Sequence, residues 1–311
     1  MSDSASSSLG ALVPSEIGDG FGRLRDELSE RLSGPARRAT QLLTSALPNW
    51  ERPSEFADLG DAFERAHGEV QRSVDAPTLV DVCRLLIAEH AICLPATLQQ
   101  RRIPDDVLAL YPETLRRLLS FLRNGHARNY YYPNEYFVKD LRLATGLMVP
   151  CGAQAVQLRS RIGRKSSLRL ALKRPFSSHI LRFLRYCELV PWFRIHIDVR
   201  CLKEFNEAGW NAGYRRIASL LRRHTEVLGM VGNSWFFDPR LEDVSPHLVY
   251  LRQRPMEGGA VLLRGGASEL DIMWATVNSP NRRQLYEAGR YIPVSYTLIW
   301  PREHLLRWAM T

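Results

Sequence analysis

The stretch WFRIHIDVR, residues 192–200, sets the residue types of a catalytic or metal-binding site at strand spacing. Side chains alternate across a strand, so Phe193, Ile195, Ile197 and Val199 share one face, and Arg194, His196, Asp198 and Arg200 share the other. Three chemistries fit His196 and Asp198. They have the local form of the His-x-carboxylate part of a 2-His-1-carboxylate iron triad, with His247 as the distal ligand. They also suit a general base with a carboxylate that fixes its tautomer. The third reading is an ordinary polar sheet face, with Asp198 paired to Arg194 or Arg200. A helix expected directly after the motif speaks against the iron enzymes, whose triad sits in a double-stranded β-helix.

Other stretches carry chemistry-bearing residues. GNSWFFDP (232–239) offers Asn233 and Ser234 to an acceptor pocket, with Trp235 and Phe237 packing and Asp238-Pro239 forming a turn. NYYYPNEYF (129–137) is either an aromatic pin inside the fold or the wall of a substrate pocket with Glu135 as its polar handle. Trp210, on a helical stripe, is a further candidate for substrate contact. Of five cysteines none forms a C-x-x-C pair, which argues against a disulfide framework or structural zinc; Cys151, between Pro150 and Gly152, is the best placed as a lone nucleophile.

Charge is concentrated rather than spread. Between Cys151 and Cys187 stand nine Lys or Arg and no acidic residue, and the 33 basic residues elsewhere match the chain's 33 acidic ones. Arg159, Arg161, Arg164 and Lys165 head that block as candidate anion ligands. Nucleic acid, an anionic membrane surface and the phosphates of a carrier are the partners such a block serves. RIGRKSS lacks the first Gly of a phosphate-binding P-loop, because position 158 is Leu. No zinc-finger or RNA-recognition signature is present, so sequence-specific nucleic-acid binding is not expected. Arg282 and Arg283, in the first turn of an expected helix, oppose its dipole and hint at an anionic partner. The 45% hydrophobic and 24% charged composition is that of a globular protein, and no apolar run approaches the roughly 18–20 residues that span a bilayer. With a polar N-terminus in place of a signal peptide, a cytoplasmic location is expected.

Residues 1–18 read as a disordered tail and 19–128 as a helical region, with Asp75 or Thr78 capping the strongest helix. Residues 129–190 read as an aromatic and basic connection, and 191–311 as an α/β domain. In that domain the strands are expected at 192–200, 226–238, 246–254, 269–277 and 292–300. Helices are expected at 203–224 and 279–289.

From about residue 192 to 300 the chain resembles the GCN5-related N-acetyltransferase superfamily. PHLVYLRQRPMEGGAVLL (246–263) looks like the family's central strand and its Gly-rich pyrophosphate loop, although Pro255 stands where the family has Arg or Gln. ELDIMWATVNSPNRRQLYEAGRY (269–291) looks like the next strand and the asparagine-bearing helix, and VSYTLIW (294–300) like a closing strand. The resemblance implies a mixed sheet with helical covers after a mainly helical N-terminal portion. It assigns Gly258, Gly259 and Ala260 to the pyrophosphate, Asn278 or Asn281 to the helix start, Tyr286 to the general acid, and His196 or Asp198 to the base. The expected function is acyl transfer to an amine from acyl-coenzyme A or an acyl carrier protein, an acidic carrier docking on the basic block. A non-haem iron oxygenase and a basic module binding nucleic acid or an anionic membrane are the alternatives.

Overall fold

The computed structural model describes residues 13–48, 53, 58–124, 129–162, 190–198 and 202–311. The protein is α/β and mostly helical, and it divides into two compact units between Pro150 and Cys151. The expected connection, 129–190, is therefore shared between the two.

The first unit is built of helices α1 (Ser15–Arg31), α2 (Gly34–Ala46), α3 (Gly60–Ser73), α4 (Ala76–Gln100), α5 (Asp105–Leu108), α6 (Tyr111–Asn124) and α7 (Glu135–Ala144), and ends on the short strand β1 (Met148–Pro150). Helix α1 already begins at Ser15, inside the stretch expected to be a disordered tail; residues 1–12 lie outside the described ones. α4 is the central helix, packed by α1, α2 and α7. Its start is fixed as its sequence requires, the Asp75 carboxylate accepting from the Thr78 N–H at 2.8 Å. The aromatic segment after α6 belongs to this core. Tyr130 and Phe137 are buried, Tyr132 donates its hydroxyl to Glu64 at 2.7 Å, and Phe63 meets Tyr132 edge to face and the Phe137 ring at a tilt.

The second unit is a mixed sheet with helical covers. Strands β2 (Gln154–Ser160), β3 (Trp192–Ile197), β4 (Gly229–Ser234), β5 (Val261–Arg264) and β6 (Tyr296–Pro301) lie in the order β2-β3-β4-β6-β5. β3 and β4 run parallel, joined by helix α8 (Glu207–Arg223); the pairs β2–β3, β4–β6 and β6–β5 are antiparallel. One sheet face packs on α8. There Trp210, Tyr214, Ile217 and Leu221 are buried along the helical stripe, and Trp300 and Trp308 close round the Tyr214 ring at 5.3 and 6.2 Å. On the other face Trp192, Val231, Ile299 and Leu263 form an apolar cluster with Ile162.

Two expected strands are helices. Residues 246–254 form a 3-10 turn (Pro246–Leu248) and helix α10 (Tyr250–Glu257), after the short helix α9 (Leu241–Val244). Leu248, Leu251 and Pro255 are their buried positions, spaced three and four apart on one helical face. Residues 269–277 belong to α11 (Glu269–Thr276). The Ser268 hydroxyl accepts from the Asp271 N–H at 3.1 Å while the Asp271 carboxylate accepts from the Ser268 N–H, a capping box that decides an apolar run otherwise ambiguous between strand and helix. α12 (Pro280–Glu287) stands where a helix was expected, and α13 (Arg302–Trp308) follows β6. Among the described residues no helix is long and apolar enough to cross a membrane.

Candidate functional site

Polar residues of the second unit gather at β3 and β4, the one parallel strand pair among the described residues. The β3–β4 ladder pairs Phe193 with Met230, Arg194 with Val231 and Ile195 with Gly232. Among the described residues it ends there, while β3 continues to Ile197 and β4 to Ser234. The two strands lie close at this last pair. A Cβ on Gly232 would stand 2.7 Å from the Ile195 side chain, so only glycine fits. The next residues along, His196 and Asn233, then project from the opposite face, the one that carries Val231 and Ile299. β6 adds Thr297, the partner of Asn233. The face is thus apolar towards the strand starts and polar towards the ends of β3 and β4.

His196 is half-buried and oriented by Gln157 of β2. Its Nε2 lies 3.3 Å from the Gln157 Oε1, and the Gln157 Nε2–H donates to the Arg159 carbonyl at 2.9 Å. The second bond fixes which end of the amide faces the histidine. Because that end is an oxygen, His196 must donate from Nε2, and Nδ1 is the basic nitrogen. Gln157 is fully buried, so its orientation is held. Asp198 is 4% exposed, its backbone N–H donating to the Ala153 carbonyl. Arg194 donates to the Ser160 hydroxyl at 2.7 Å and the Arg161 carbonyl at 2.8 Å, across the irregularity in β2 between Gln157 and Ser160.

The start of α8, which follows the end of β3, is filled by the chain itself. The Asn206 side chain accepts from the Gly209 N–H at 3.0 Å, and a Cβ on Gly209 would lie 2.4 Å from the Glu204 carbonyl oxygen. Arg216 donates to both the Cys151 carbonyl (3.1 Å) and the Glu204 carboxylate (3.3 Å), tying this turn to the start of β2. On the α8 side Phe236, after β4, meets Phe205, which in turn meets Trp210, with ring centroids 5.6 and 5.4 Å apart.

Beside Asn233 opens a cavity of about 460 Å³, bounded by Asn233, the loop 265–267, Ser268, Asp271 and Ser295. The Asp271 carboxylate accepts from the Ser295 hydroxyl at 2.5 Å and the Ser268 hydroxyl at 2.6 Å. The loop is held to Ser295 by two backbone bonds, Gly265 N–H to the Ser295 carbonyl and Ser295 N–H to the Gly266 carbonyl. A second cavity, of about 530 Å³ in the first unit, lies among Arg31, His67, Asp81, Arg84 and Tyr131.

Several sequence-based assignments separate from this site. His196, Asp198 and His247 are not brought together: His247 is exposed on its 3-10 turn, and no group of three or more His, Cys, Asp or Glu among the described residues is arranged to hold a metal ion. Gly258, Gly259 and Ala260 end α10 and lead into a strand, so no helix N-terminus follows them. Their small size serves packing. Gly258 accepts from the Trp300 indole N–H at 3.0 Å, and a Cβ on Gly259 would lie 2.2 Å from the His304 ring. Tyr286 is 37% exposed on α12, Asn278 is exposed before it, and the Asn281 amide donates to the Val244 carbonyl. Trp210 is fully buried. Glu135 opens α7 and pairs with Lys139. Arg282 is buried too, donating to the Ala275 carbonyl and the Ser245 hydroxyl and lying 4.8 Å over the Trp235 ring, which explains an arginine in that first turn without an anion. Cys151 is buried. Arg159 pairs with Glu226 at 3.7 Å and Arg161 is exposed, while Arg164 and Lys165 lie outside the described residues.

Gln157, Asp271 and Ser295 were missed in the sequence. Of the three only Asp271 had a local signal, the Ser-x-x-Asp capping pattern after Gly265-Gly266. No family model, curated protein or solved structure matches the chain.

Proposed function

We propose that the second unit transfers an acyl group from a pantetheine thioester to an amine, in the manner of the GCN5-related N-acetyltransferases. The donor is coenzyme A or the phosphopantetheine of an acidic carrier protein. The observation that carries the reading is the parallel pair β3–β4, whose ladder ends at Ile195 and Gly232 with His196 and Asn233 as the next residues on one face. The family's chemistry needs two parallel strands that part, so that the pantetheine arm can lie along a strand edge. The pair that suits this role is β3 and β4, since the segments 246–263 and 269–277, to which the sequence resemblance pointed, are largely helical.

The residues at the opening fit the arm better than the diphosphate. The edge of β4 at Asn233 and Ser234 offers backbone groups to an extended pantetheine. The start of α8 is a poor phosphate cradle, since the Asn206 side chain occupies the Gly209 N–H and Glu207 adds a negative charge. The phosphate end of the donor is left to the basic residues that begin with Arg159 and Arg161, an arrangement that suits a carrier protein as well as free coenzyme A.

The chemical step balances on His196. The amine nitrogen attacks the thioester carbonyl, the new C–N bond forms, and the nitrogen's proton passes to His196 Nδ1. Collapse of the tetrahedral intermediate breaks the C–S bond, the electron pair leaves on sulfur, and the imidazolium proton goes to the thiolate. Gln157 holds the imidazole in the tautomer this requires.

The test is amine-dependent release of free thiol from acetyl-coenzyme A, longer acyl-coenzyme A and an acylated carrier protein, with a melting curve on the same samples. A donor that binds only the folded protein raises its melting temperature. Wild-type turnover that falls roughly 10²–10⁴-fold in His196→Ala supports the reading. Thiol release from no donor, with no change in melting temperature, removes it.

A further inference from the structure

We infer that the cavity beside Asn233 is the acceptor subsite and that it selects an acceptor bearing a second cationic group, an aliphatic diamine. The inference rests on the acyl-transfer reading for its name, and on the cavity's own chemistry for its content. Among the described residues Asp271 is the only ionisable one in the cavity wall. Both its oxygens engage neutral hydroxyls, and among the described residues no Lys, Arg or His lies within ion-pair distance of it. The partial charge at the start of α11 amounts to about half a unit, so a net negative charge remains to face the cavity. Asn233, Ser268 and Ser295 add hydrogen-bonding groups without adding charge. A wall of that composition complements an ammonium and repels a carboxylate or a phosphate.

Position decides which ammonium is bound. Asn233 is at once a wall of the cavity and the residue that follows the last ladder pair on β4, as His196 follows it on β3, with both on the same sheet face. The ammonium held by Asp271 therefore stays protonated while the acceptor's other nitrogen, extending past Asn233, gives up its proton at His196. At about 460 Å³ the cavity falls in the range of small-molecule sites, roughly 300–1,000 Å³. The loop is built to leave this space open. Gly265 cannot carry a side chain, because its Cβ would lie 2.7 Å from the Ser295 carbonyl, and Gly266 has nothing within 4 Å of where its Cβ would stand.

The experiment is direct binding, by calorimetry on the full chain without any acyl donor, of a series from 1,3-diaminopropane to 1,6-diaminohexane against butylamine. A diamine is expected to bind roughly tenfold to a hundredfold more tightly than the monoamine, and the advantage is expected to vanish in Asp271→Asn. Should that change disturb the helix cap, Gly266→Leu blocks the cavity without touching the carboxylate, and it too is expected to abolish diamine binding. Equal affinity for diamines and monoamine, or diamine binding unchanged in both variants, overturns the inference. Diamine binding with no thiol release from any donor overturns the acyl-transfer reading and leaves the subsite standing. Turnover that ignores both Asp271→Asn and Gly266→Leu does the reverse.

Discussion

The indole N–H of Trp210 donates to the Tyr214 hydroxyl at 2.7 Å, and that hydroxyl donates in turn to the Leu251 carbonyl at 2.9 Å, so two residues one helical turn apart tie α8 to α10. Both side chains are fully buried, and burial is the chief reason the tyrosine hydroxyl resists ionisation. Tyr214→Phe strands a buried indole donor and a buried carbonyl together. A loss of about 1–3 kcal/mol in unfolding free energy is expected by urea titration. Trp210→Phe leaves the hydroxyl its carbonyl partner and is expected to cost less through hydrogen bonding. A Tyr214→Phe protein as stable as wild type would show that the relay contributes nothing.

Gly213 lies on the sheet side of α8. A Cβ there would come 2.3 Å from the Gln154 side-chain oxygen and 3.0 Å from the Cys151 carbonyl, and Gln154 is itself buried. Gly213→Ala is therefore expected to destabilise by about 1–3 kcal/mol, despite alanine's better helix propensity. Gly266→Ala, with open space around it, is expected to stay within about 0.5 kcal/mol of wild type. Thermal or chemical denaturation of the pair separates steric contact from a general intolerance of glycine replacement.

Burial lowers the pKa of His67 and of His90 in the first unit below the ordinary value of 6.5. Both imidazoles therefore resist protonation in the fold. As the pH falls below about 6.5 the unfolded chain takes up protons that the folded chain resists, so stability falls with pH until the lowered folded values are passed. Melting temperature measured from pH 8 to pH 5 is expected to drop over this window. His67→Gln, which keeps a polar group against the Tyr132 backbone N–H, is expected to flatten the slope. A slope unchanged by that substitution would assign the pH dependence elsewhere.

Gln157 acts on the reaction through His196 and is a positioning residue. Gln157→Glu puts a carboxylate against the imidazole and favours its protonated form. The acid limb of the rate profile should move to higher pH, with the plateau rate recovered there. Gln157→Leu removes the hydrogen bond that selects the tautomer, and a fall in kcat at every pH is expected. A profile that does not move in Gln157→Glu would leave the residue with a packing role alone.

Local patterns in the sequence carried the elements well and their assembly poorly. The alternation of WFRIHI specifies β3, the Trp210–Tyr214–Ile217–Leu221 spacing specifies α8, and of the two candidate caps, Asp75 and Thr78, Asp75 is the one that caps its helix. Residues 269–277 were misread because ELDIMWATV is apolar almost throughout, and only the cap at Ser268 distinguishes helix from strand. The site escaped for a different reason. Gln157 and His196 are 39 positions apart, and Asp271 and Ser295 are 24 apart; no spacing rule joins residues that meet only when distant parts of the chain pack together. Polarity on one strand face was legible, but the neighbour that gives it a tautomer was not.

The placing of β6 between β4 and β5 has a consequence for how the chain is made. During synthesis β4 is complete by Ser234 and β5 by Arg264, yet each must wait for Tyr296–Pro301 to emerge before it gains its shared antiparallel partner. Until then β4 has an open edge and β5 has no sheet neighbour, so a ribosome paused between Arg264 and Tyr296 holds an adhesive, half-built sheet. The described helices of the first unit, by contrast, are finished by Ala144. Slowing synthesis between Arg264 and Tyr296 is thus expected to lower the share of protein that reaches the native state.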